Sequence, residues 1–170
     1  MMLNEHLLAD IVERVHNRFY GKFRGVVTQV DGPTMRIKAR VPAVLGEQEC
    51  GWATPCVPYA GKDVGIAFLP EAGAGVWIEF EGGDVSFPIW VGCFWHTGEV
   101  PKVASDTARA IVTKSATIVF DDENSQFSWS DPNKNSVALE PSGMTIASGS
   151  KNVTLGSSGV AVNDGALEVS

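Results

Sequence analysis

The residues best suited to chemistry are three cysteines and one histidine. Cys93 and His96 stand at a spacing that zinc ligands tolerate, and Cys50 and Cys56 could complete a set of four ligands. However, five residues separate Cys50 from Cys56, and no residues that would orient metal ligands accompany them. We therefore predict core thiols rather than a metal site. An odd number of cysteines without framework spacing predicts a reducing compartment.

Two groups of carboxylates are the next candidates. Glu79 and Glu81 alternate along a predicted strand and so share one face, as a glycosidase pair could within a cleft. No helical lobe or substrate groove is predicted around them. The run Asp121-Asp122-Glu123 offers oxygen ligands for calcium but lacks the spacing of a known calcium loop. We therefore predict a solvated turn at this run.

Motifs for nucleophilic catalysis and phosphate binding are absent from the sequence. It contains no Gly-x-Ser-x-Gly, no phosphate-binding loop and no zinc-protease helix signature. We therefore predict that the protein is not an enzyme and that it binds no cofactor and no metal.

The composition restricts the partners of the protein. The 170 residues carry a net charge of −7 and a pI of about 4.9, which disfavours nucleic acid and anionic membranes as partners. No apolar run is long enough to cross a bilayer, and the N-terminus lacks the basic start and apolar centre of a signal peptide. We expect no nucleic acid partner and no stable membrane anchoring.

One predicted strand concentrates basic side chains on one face. Residues 35–41 alternate, so that Arg36, Lys38 and Arg40 lie opposite the apolar residues of the same strand. A basic strand face in a small barrel could bind single-stranded nucleic acid. Because the chain is acidic and no aromatic residue lies among these basic residues, we favour a solvated face or one paired with acidic neighbours.

A predicted helix and five short strands organise the first part of the chain. In residues 1–22, apolar side chains recur at spacings of one, three and four, which predicts an amphipathic helix packed on its own domain or on a partner. Residues 23–98 contain strands interrupted by a Gly- and Pro-rich connection, Gly51–Gly61. This arrangement predicts an OB-fold, a partly open barrel of five strands. The predicted strands are Arg24–Val30, Met35–Val41, Val64–Leu69, Val76–Glu81 and Ile89–Trp95.

A change of composition after residue 97 marks a domain boundary, with a linker predicted over residues 99–110. Residues 111–170 then repeat an apolar–x–apolar pair between Gly, Ser and Asn residues, which predicts short strands of a β-solenoid type. Each strand has one narrow apolar edge, which a single copy leaves in water. Three copies wound about an axis would bury it, so we predict a homotrimeric β-prism. The residues expected at the axis are Ile146, Val153, Leu155, Val160, Val162, Leu167 and Val169.

Several long segments follow the order of one known family. They are Val41–Gly46, Gly51–Gly61, Gly73–Asp84, Pro88–Gly92, Ile111–Ser115 and Ile118–Asp122. Together they resemble the phage baseplate assembly protein V family, which includes the spike proteins of contractile tails and the OB domains of type VI secretion spikes. The resemblance covers nearly all of the chain after the N-terminal helix. It implies an all-β chain with an N-terminal helix, an OB-fold barrel and a C-terminal intertwined triple-stranded β-helix.

The resemblance implies a structural spike at the centre of a baseplate. Three OB domains would form a collar on the tail hub protein, and three tails would intertwine into a rigid needle that punctures an envelope. The chain has no room for a lysozyme domain between collar and needle, and no His-x-His metal tip follows Asn152. The particle would be a phage tail, a phage-derived contractile injection system or a type VI-like machine, assembled in the bacterial cytoplasm.

The C-terminal end implies a further partner. Leu167 and Val169 continue the apolar pairs, so a three-fold prism would end in unpaired strand ends and apolar side chains. The resemblance implies that a small tip protein with Pro-Ala-Ala-Arg repeats covers this end. The expected docking residues are Gly165, Ala166, Leu167, Val169 and Ser170.

Two other functions are open alternatives. The chain could be an OB-fold binding adaptor with a flexible tail, or a glycosidase that degrades the envelope. The repeat in the tail disfavours the adaptor, and the missing catalytic residues disfavour the enzyme. The molecular mass in solution would separate the spike from the adaptor.

Overall fold

The computed structural model describes residues 7, 8, 12, 17–164 and 166–169, and its regular structure is mostly β-strand. The chain divides into two units, Met1–Gly98 and Glu99–Ser170. Within the predicted N-terminal helix, Leu7, Leu8 and Val12 have helical backbone and exposed side chains. The other residues of that helix up to His16 lie outside the described residues, so its packing stays a prediction. Residues 17–22, the predicted end of the helix, are not helical.

The first unit is a small barrel with OB topology. Its main sheet has the strand order β2-β1-β6-β7-β3, in which only β3 and β7 run parallel. A bridge between Ile37 and Ala53 joins β2 to the residue before β3 and closes the barrel. The predicted OB-like domain is thereby confirmed. In chain order the strands are β1 (Phe23–Asp31), β2 (Arg36–Arg40), β3 (Thr54–Pro55), β4 (Ala60–Gly61), β5 (Val64–Gly65), β6 (Gly75–Phe80) and β7 (Pro88–Phe94).

Alternating side chains fill the barrel, as their period of two predicted. In β2 and β6 every second residue points inward and is buried, whereas Arg36, Arg40, Trp77 and Glu79 point outward. Trp90 of the central strand β7 is buried, and its indole N–H donates to the carbonyl of Met35 at 3.1 Å. The buried hydrophobic residues are Val27, Ile37, Ala39, Val41, Cys50, Ala53, Val76, Ile78, Phe80 and Trp90.

Gly75 shows why β6 can approach β7 so closely. A Cβ atom at this position would lie 2.8 Å from the carbonyl oxygen of Phe94, closer than real Cβ atoms come to other heavy atoms. The residue opposite in β7 is Phe94 itself. Only glycine therefore fits at the position of β6 that pairs with Phe94 of β7.

The predicted third strand, Val64–Leu69, is wrong. Only Val64–Gly65 is strand, and it pairs with Ala60–Gly61 in a separate two-stranded hairpin. The third barrel strand is instead Thr54–Pro55, inside the connection predicted to be irregular. Pro55 has no N–H, but β3 lies at the end of the sheet order, where a proline is tolerated. A short helix, α1 (Pro42–Leu45), was also not predicted; it begins at Pro42, which suits a first helical position.

The second unit is a single eight-stranded antiparallel sheet. Each strand pairs with the strands before and after it in the chain, so the sheet is a meander with no crossover. Its first strand begins at Ala108, inside the segment predicted as linker. The intertwining of three copies stays a prediction. The strands are β8 (Ala108–Val112), β9 (Thr117–Asp121), β10 (Gln126–Ser130), β11 (Asn135–Glu140), β12 (Gly143–Ser148), β13 (Lys151–Gly156), β14 (Gly159–Val162) and β15 (Leu167–Val169).

Candidate assembly surface

One face of the C-terminal sheet carries two adjacent rows of large apolar side chains, which we call the apolar face. Residues directly opposite each other in neighbouring antiparallel strands lie on the same face of the sheet. Row one contains Phe120, Phe127, Leu139, Met144, Leu155 and Val160. Row two contains Ile111, Ile118, Trp129, Val137, Ile146, Val153, Val162 and Leu167.

The opposite face of the same sheet is small and polar. The row that alternates with the apolar side chains holds mainly alanine, serine and threonine, and Val119 is its one large apolar residue among the positions that the structure describes. These residues are Ala110, Val119, Ser128, Ala138, Thr145, Thr154 and Ala161. Such alternation is typical of a sheet with one solvated face and one packed face.

The apolar face has no cover within its own unit. In the part of residues 99–170 that the structure describes, no residue is buried; every buried hydrophobic residue belongs to the barrel. Phe120, Ile146 and Leu167 are 46%, 47% and 60% exposed. A contiguous apolar surface of this kind marks an interface.

The dimensions of the apolar face suit an elongated contact. Eight strands at a spacing of about 4.8 Å extend over roughly 34 Å, whereas the face is only two side chains wide. Covering half-exposed side chains of this size contributes on the order of 1 kcal/mol each. The summed contribution is comparable to the whole stability of an ordinary domain, so a partner on this face would stabilise the sheet substantially.

Polar groups border the apolar face. Beyond row two, Asn135, Ser148 and Lys151 lie opposite one another on the same side of the sheet. At the first strand, Arg109 stands opposite Phe120 and forms an ion pair with Asp122. The apolar contact therefore cannot widen without burying charge.

Asparagine and aspartate side chains fix the turns at the polar border. The backbone N–H groups of Asn133 and Asn135 both donate to Asp131 Oδ1 at 2.9 Å, and the Asn135 amide donates to Oδ2. These bonds, led by that of the Asn135 side chain, lower the pKa of Asp131. The side-chain amide and the backbone N–H of Asn124 donate to Asp121 in the same way and lower the pKa of Asp121. The run Asp121–Glu123, predicted as a solvated turn, leads into the turn between β9 and β10.

The residues predicted at a trimer axis share the apolar face where their side chains are described. Ile146, Val153, Val162 and Leu167 lie in row two, and Leu155 and Val160 in row one. Val169 stands opposite Val160 in the backbone register. The axis itself stays a prediction. The predicted axis residues did not include the earlier half of the face, although the sequence marks looser members of the same apolar–x–apolar repeat there. The missed residues are Ile111, Ile118, Phe120, Phe127, Trp129, Val137, Leu139 and Met144.

The predicted tip-docking residues are only partly described. Ala166 and Leu167 are exposed at the start of β15, the last strand of the sheet. The backbone of Val169 pairs with β14. Gly165 and Ser170 lie outside the described residues.

The structure does not bring the four candidate zinc ligands together. Among the residues that it describes, no group of three or more His, Cys, Asp and Glu side chains is placed to hold a metal ion. Cys50 is buried, and its sulfur accepts a hydrogen bond from the Ala39 N–H at 3.4 Å. Burial raises the pKa of the Cys50 thiol. The prediction of core thiols is wrong for Cys56 and Cys93, which are exposed.

Glu79 and Glu81 do not form a pair on one strand face. Strand β6 ends at Phe80, and Glu81 begins a 3₁₀ turn. Glu79 instead accepts a hydrogen bond from Lys22 Nζ at 2.6 Å. The two carboxylates therefore lack the shared cleft that a glycosidase needs.

Aromatic rings accompany the basic residues on the outside of the barrel, contrary to the expectation from local sequence. Lys38 Nζ lies 5.1 Å from the centre of the Trp52 ring, and Arg24 lies 5.1 Å from Trp77 and 5.2 Å from Phe94. Trp52 is fourteen positions beyond Lys38, so no local pattern shows this contact. Arg36, Lys38 and Arg40 form no ion pair with any described residue, which agrees with a solvated face.

An OB-type barrel followed by a sheet with an uncovered apolar face is typical of a protein that assembles with other chains. Residues 23–95 match the sequence model of the type VI secretion system/phage-baseplate injector OB domain. The barrel domain of this chain belongs to that family, which indicates a structural role in a baseplate and association with other baseplate components of a phage tail or injection particle. No curated protein matches the chain.

Among the described residues, no helix is both long and apolar enough to cross a bilayer.

Proposed function

We propose that three copies of this chain form the central spike of a contractile baseplate, with the barrels as a collar and the sheets as a needle. The apolar face carries this proposal, because it is long, narrow and uncovered. The family of the barrel supports the baseplate setting.

The narrow shape of the apolar face supports three copies. Two sheets that pack face to face bring wide faces together about 10 Å apart. Here each face is two side chains wide and has Asn135, Ser148 and Lys151 directly beside row two. Three such faces can meet around an axis with the polar borders directed towards the corners of the prism. Closed three-fold symmetry then buries every copy of the face equally.

The mass of the full chain in solution tests this proposal. Light scattering on the purified protein is expected to give about 54 kDa, three times the chain mass of 18.1 kDa. A folded monomer would show that the apolar face tolerates water. A stable dimer would favour a two-sheet sandwich and overturn the three-fold prism.

The same arrangement explains how a needle could withstand force. In each sheet the strands bond to both chain neighbours, so among the strands that the structure describes only β8 and β15 keep a free backbone edge. The barrels would bind the tail hub protein, and the β15 ends would carry a tip protein. Hydrolysis has no part in this role, and Glu79 and Glu81 have no catalytic task in it.

We expect the C-terminal strand to hold the tip protein. In a prism, the three copies of β15 would expose apolar side chains such as Leu167 at the end of the needle. Deleting residues 166–170 is expected to abolish binding of a Pro-Ala-Ala-Arg repeat tip protein in a pull-down. The barrel, a separate unit, should keep its fold. A truncated protein that still retains the tip would place the docking site elsewhere.

An OB-fold adaptor with a flexible tail is the alternative function. Regular strands from Ala108 to Val169 disfavour it, because they follow one another through short turns rather than forming a flexible tail.

A further inference from the structure

A two-stranded arm extends the barrel between β3 and β6. We define the arm as residues 57–69, which include β4 and β5. These two strands pair only with each other, and the Ile66 N–H donates to the Tyr59 carbonyl at 2.9 Å. A two-stranded hairpin of this size is at best marginally stable in water. The arm therefore needs packing partners beyond its own ladder.

The arm exposes large apolar side chains. Tyr59 and Phe68 are 56% and 58% exposed, and Val64 and Ile66 are similarly exposed. All of them lie within ten residues of one another in the chain. A cluster of this kind marks a contact surface rather than the scattered apolar residues of an ordinary exterior.

A groove lies beside the arm on the same domain. Its volume is about 480 Å³, and it separates the arm from the turn between β1 and β2. Phe68 is not among the residues that line it. Tyr59, Val64 and Ile66 line the groove themselves, so Phe68 is the exposed apolar side chain of the arm that lies outside it. The same chain thus carries an apolar side chain and an apolar groove, which is the requirement for a head-to-tail contact between identical copies. The lining residues include Thr34, Met35, Pro55, Val57, Tyr59 and Ile66.

The tip of the arm has the charges that a second copy would complement. Lys62 and Asp63 are adjacent and exposed, and neither forms an ion pair with a described residue. In a ring of identical arms, the Lys62 ammonium of one copy can face the Asp63 carboxylate of the next. A second copy therefore offers the complementary sign to both residues.

We propose that in the assembled protein each arm docks on the barrel of a neighbouring copy, with Phe68 in that neighbour's groove. This inference rests on the proposed trimer. Residues 95–107 tether each barrel to its own sheet, so three joined sheets keep the barrels at a high effective concentration. Head-to-tail contacts of this kind close into a ring under three-fold rotation. The arms would then link the collar independently of the needle.

Amide hydrogen exchange on the full-length protein tests the docking. In the wild-type trimer, the Ile66 amide is expected to exchange on the order of 100-fold more slowly than an isolated hairpin amide. Phe68→Ser should remove at least about ten-fold of this protection without changing the mass of the assembly. The matched control is Phe87→Ser, because Phe87 is 59% exposed on the same unit and lies outside the arm. It should leave the exchange of Ile66 unchanged.

Cross-linking identifies what covers the arm. Asp63→Cys is introduced into a chain in which the exposed Cys56 and Cys93 are replaced by serine. A short bismaleimide is expected to link copies within the trimer, whereas Glu47→Cys, exposed in the loop after α1, should not give this product. If the wild-type protein is a trimer but its Ile66 amide is unprotected and Asp63→Cys gives no cross-link, the docking of the arm is wrong and the proposed spike still stands. A wild-type monomer by light scattering overturns the spike itself.

Discussion

Replacing Val160 with aspartate is expected to dissociate the assembly into single chains. Val160 lies in row one of the apolar face, opposite Leu155. In the proposed prism, three aspartates would meet near one axis without cationic partners. Burying an unpaired charge costs several kcal/mol per group. Three such penalties together reduce the stability of the trimer by on the order of 10 kcal/mol.

Light scattering at micromolar concentration measures this effect directly. The Val160→Asp protein should have the mass of one chain. Thr154→Asp is the matched control, because Thr154 lies on the adjacent strand and on the small, polar face. It adds the same charge and should leave the trimer within about 1 kcal/mol of the wild type. A Val160→Asp protein that stays trimeric and melts like the wild type would show that this face does not line the axis.

Gly143→Ala is expected to lower the free energy of unfolding of the C-terminal sheet by on the order of 3 kcal/mol or more. Gly143 has a φ of 144°, and a Cβ atom added there would overlap the carbonyl oxygen of Leu155. The colliding atom belongs to the backbone of the neighbouring strand, so no side-chain rotation can relieve it. The ladder between β12 and β13 must open at this point.

The neighbouring glycine gives an internal comparison. Gly156 stands directly opposite Gly143, yet the nearest atom to its added Cβ is 3.8 Å away. Gly156→Ala should therefore change stability by no more than about 1 kcal/mol. Thermal unfolding of the two variants is measured by calorimetry, because four of the five tryptophans lie in the barrel unit and would dominate the fluorescence. Equal melting of the two variants would contradict the steric argument.

Local periodicity predicted the strands whose alternation is complete. In residues 35–41 the apolar residues point into the barrel and the basic residues point outward, as their alternation predicted, because only one face of a barrel strand is inside. The apolar pairs of the tail likewise mark strands whose large side chains share one face. Period-two patterns determine which residues share a face, and both units use this property.

Local periodicity could not show where an apolar strand packs. Val64, Ile66 and Phe68 alternate as a barrel strand would, yet they belong to an exposed arm. The pattern is the same whether an apolar face is covered by its own barrel or by another chain. The strand Thr54–Pro55 was missed for the opposite reason. Two residues are too few to show a period, and the proline argued against a strand.

Contacts between distant residues were also beyond the sequence. The side chain of Lys38 over Trp52 and the exposure of Cys56 depend on how the barrel closes. Neither has a signature in composition or spacing. The separation of the four candidate zinc ligands, against which core thiols were predicted, is a further case, because ligand spacing along the chain does not guarantee convergence in space.

The meander of the second unit has a consequence for the evolution of length. Since every strand touches only its chain neighbours, one hairpin can be gained or lost without changing the register of the rest. Each hairpin adds about 9.6 Å to the sheet, twice the strand spacing. The length of the sheet can therefore change in steps of one hairpin, and in the proposed spike such steps would set the length of the needle.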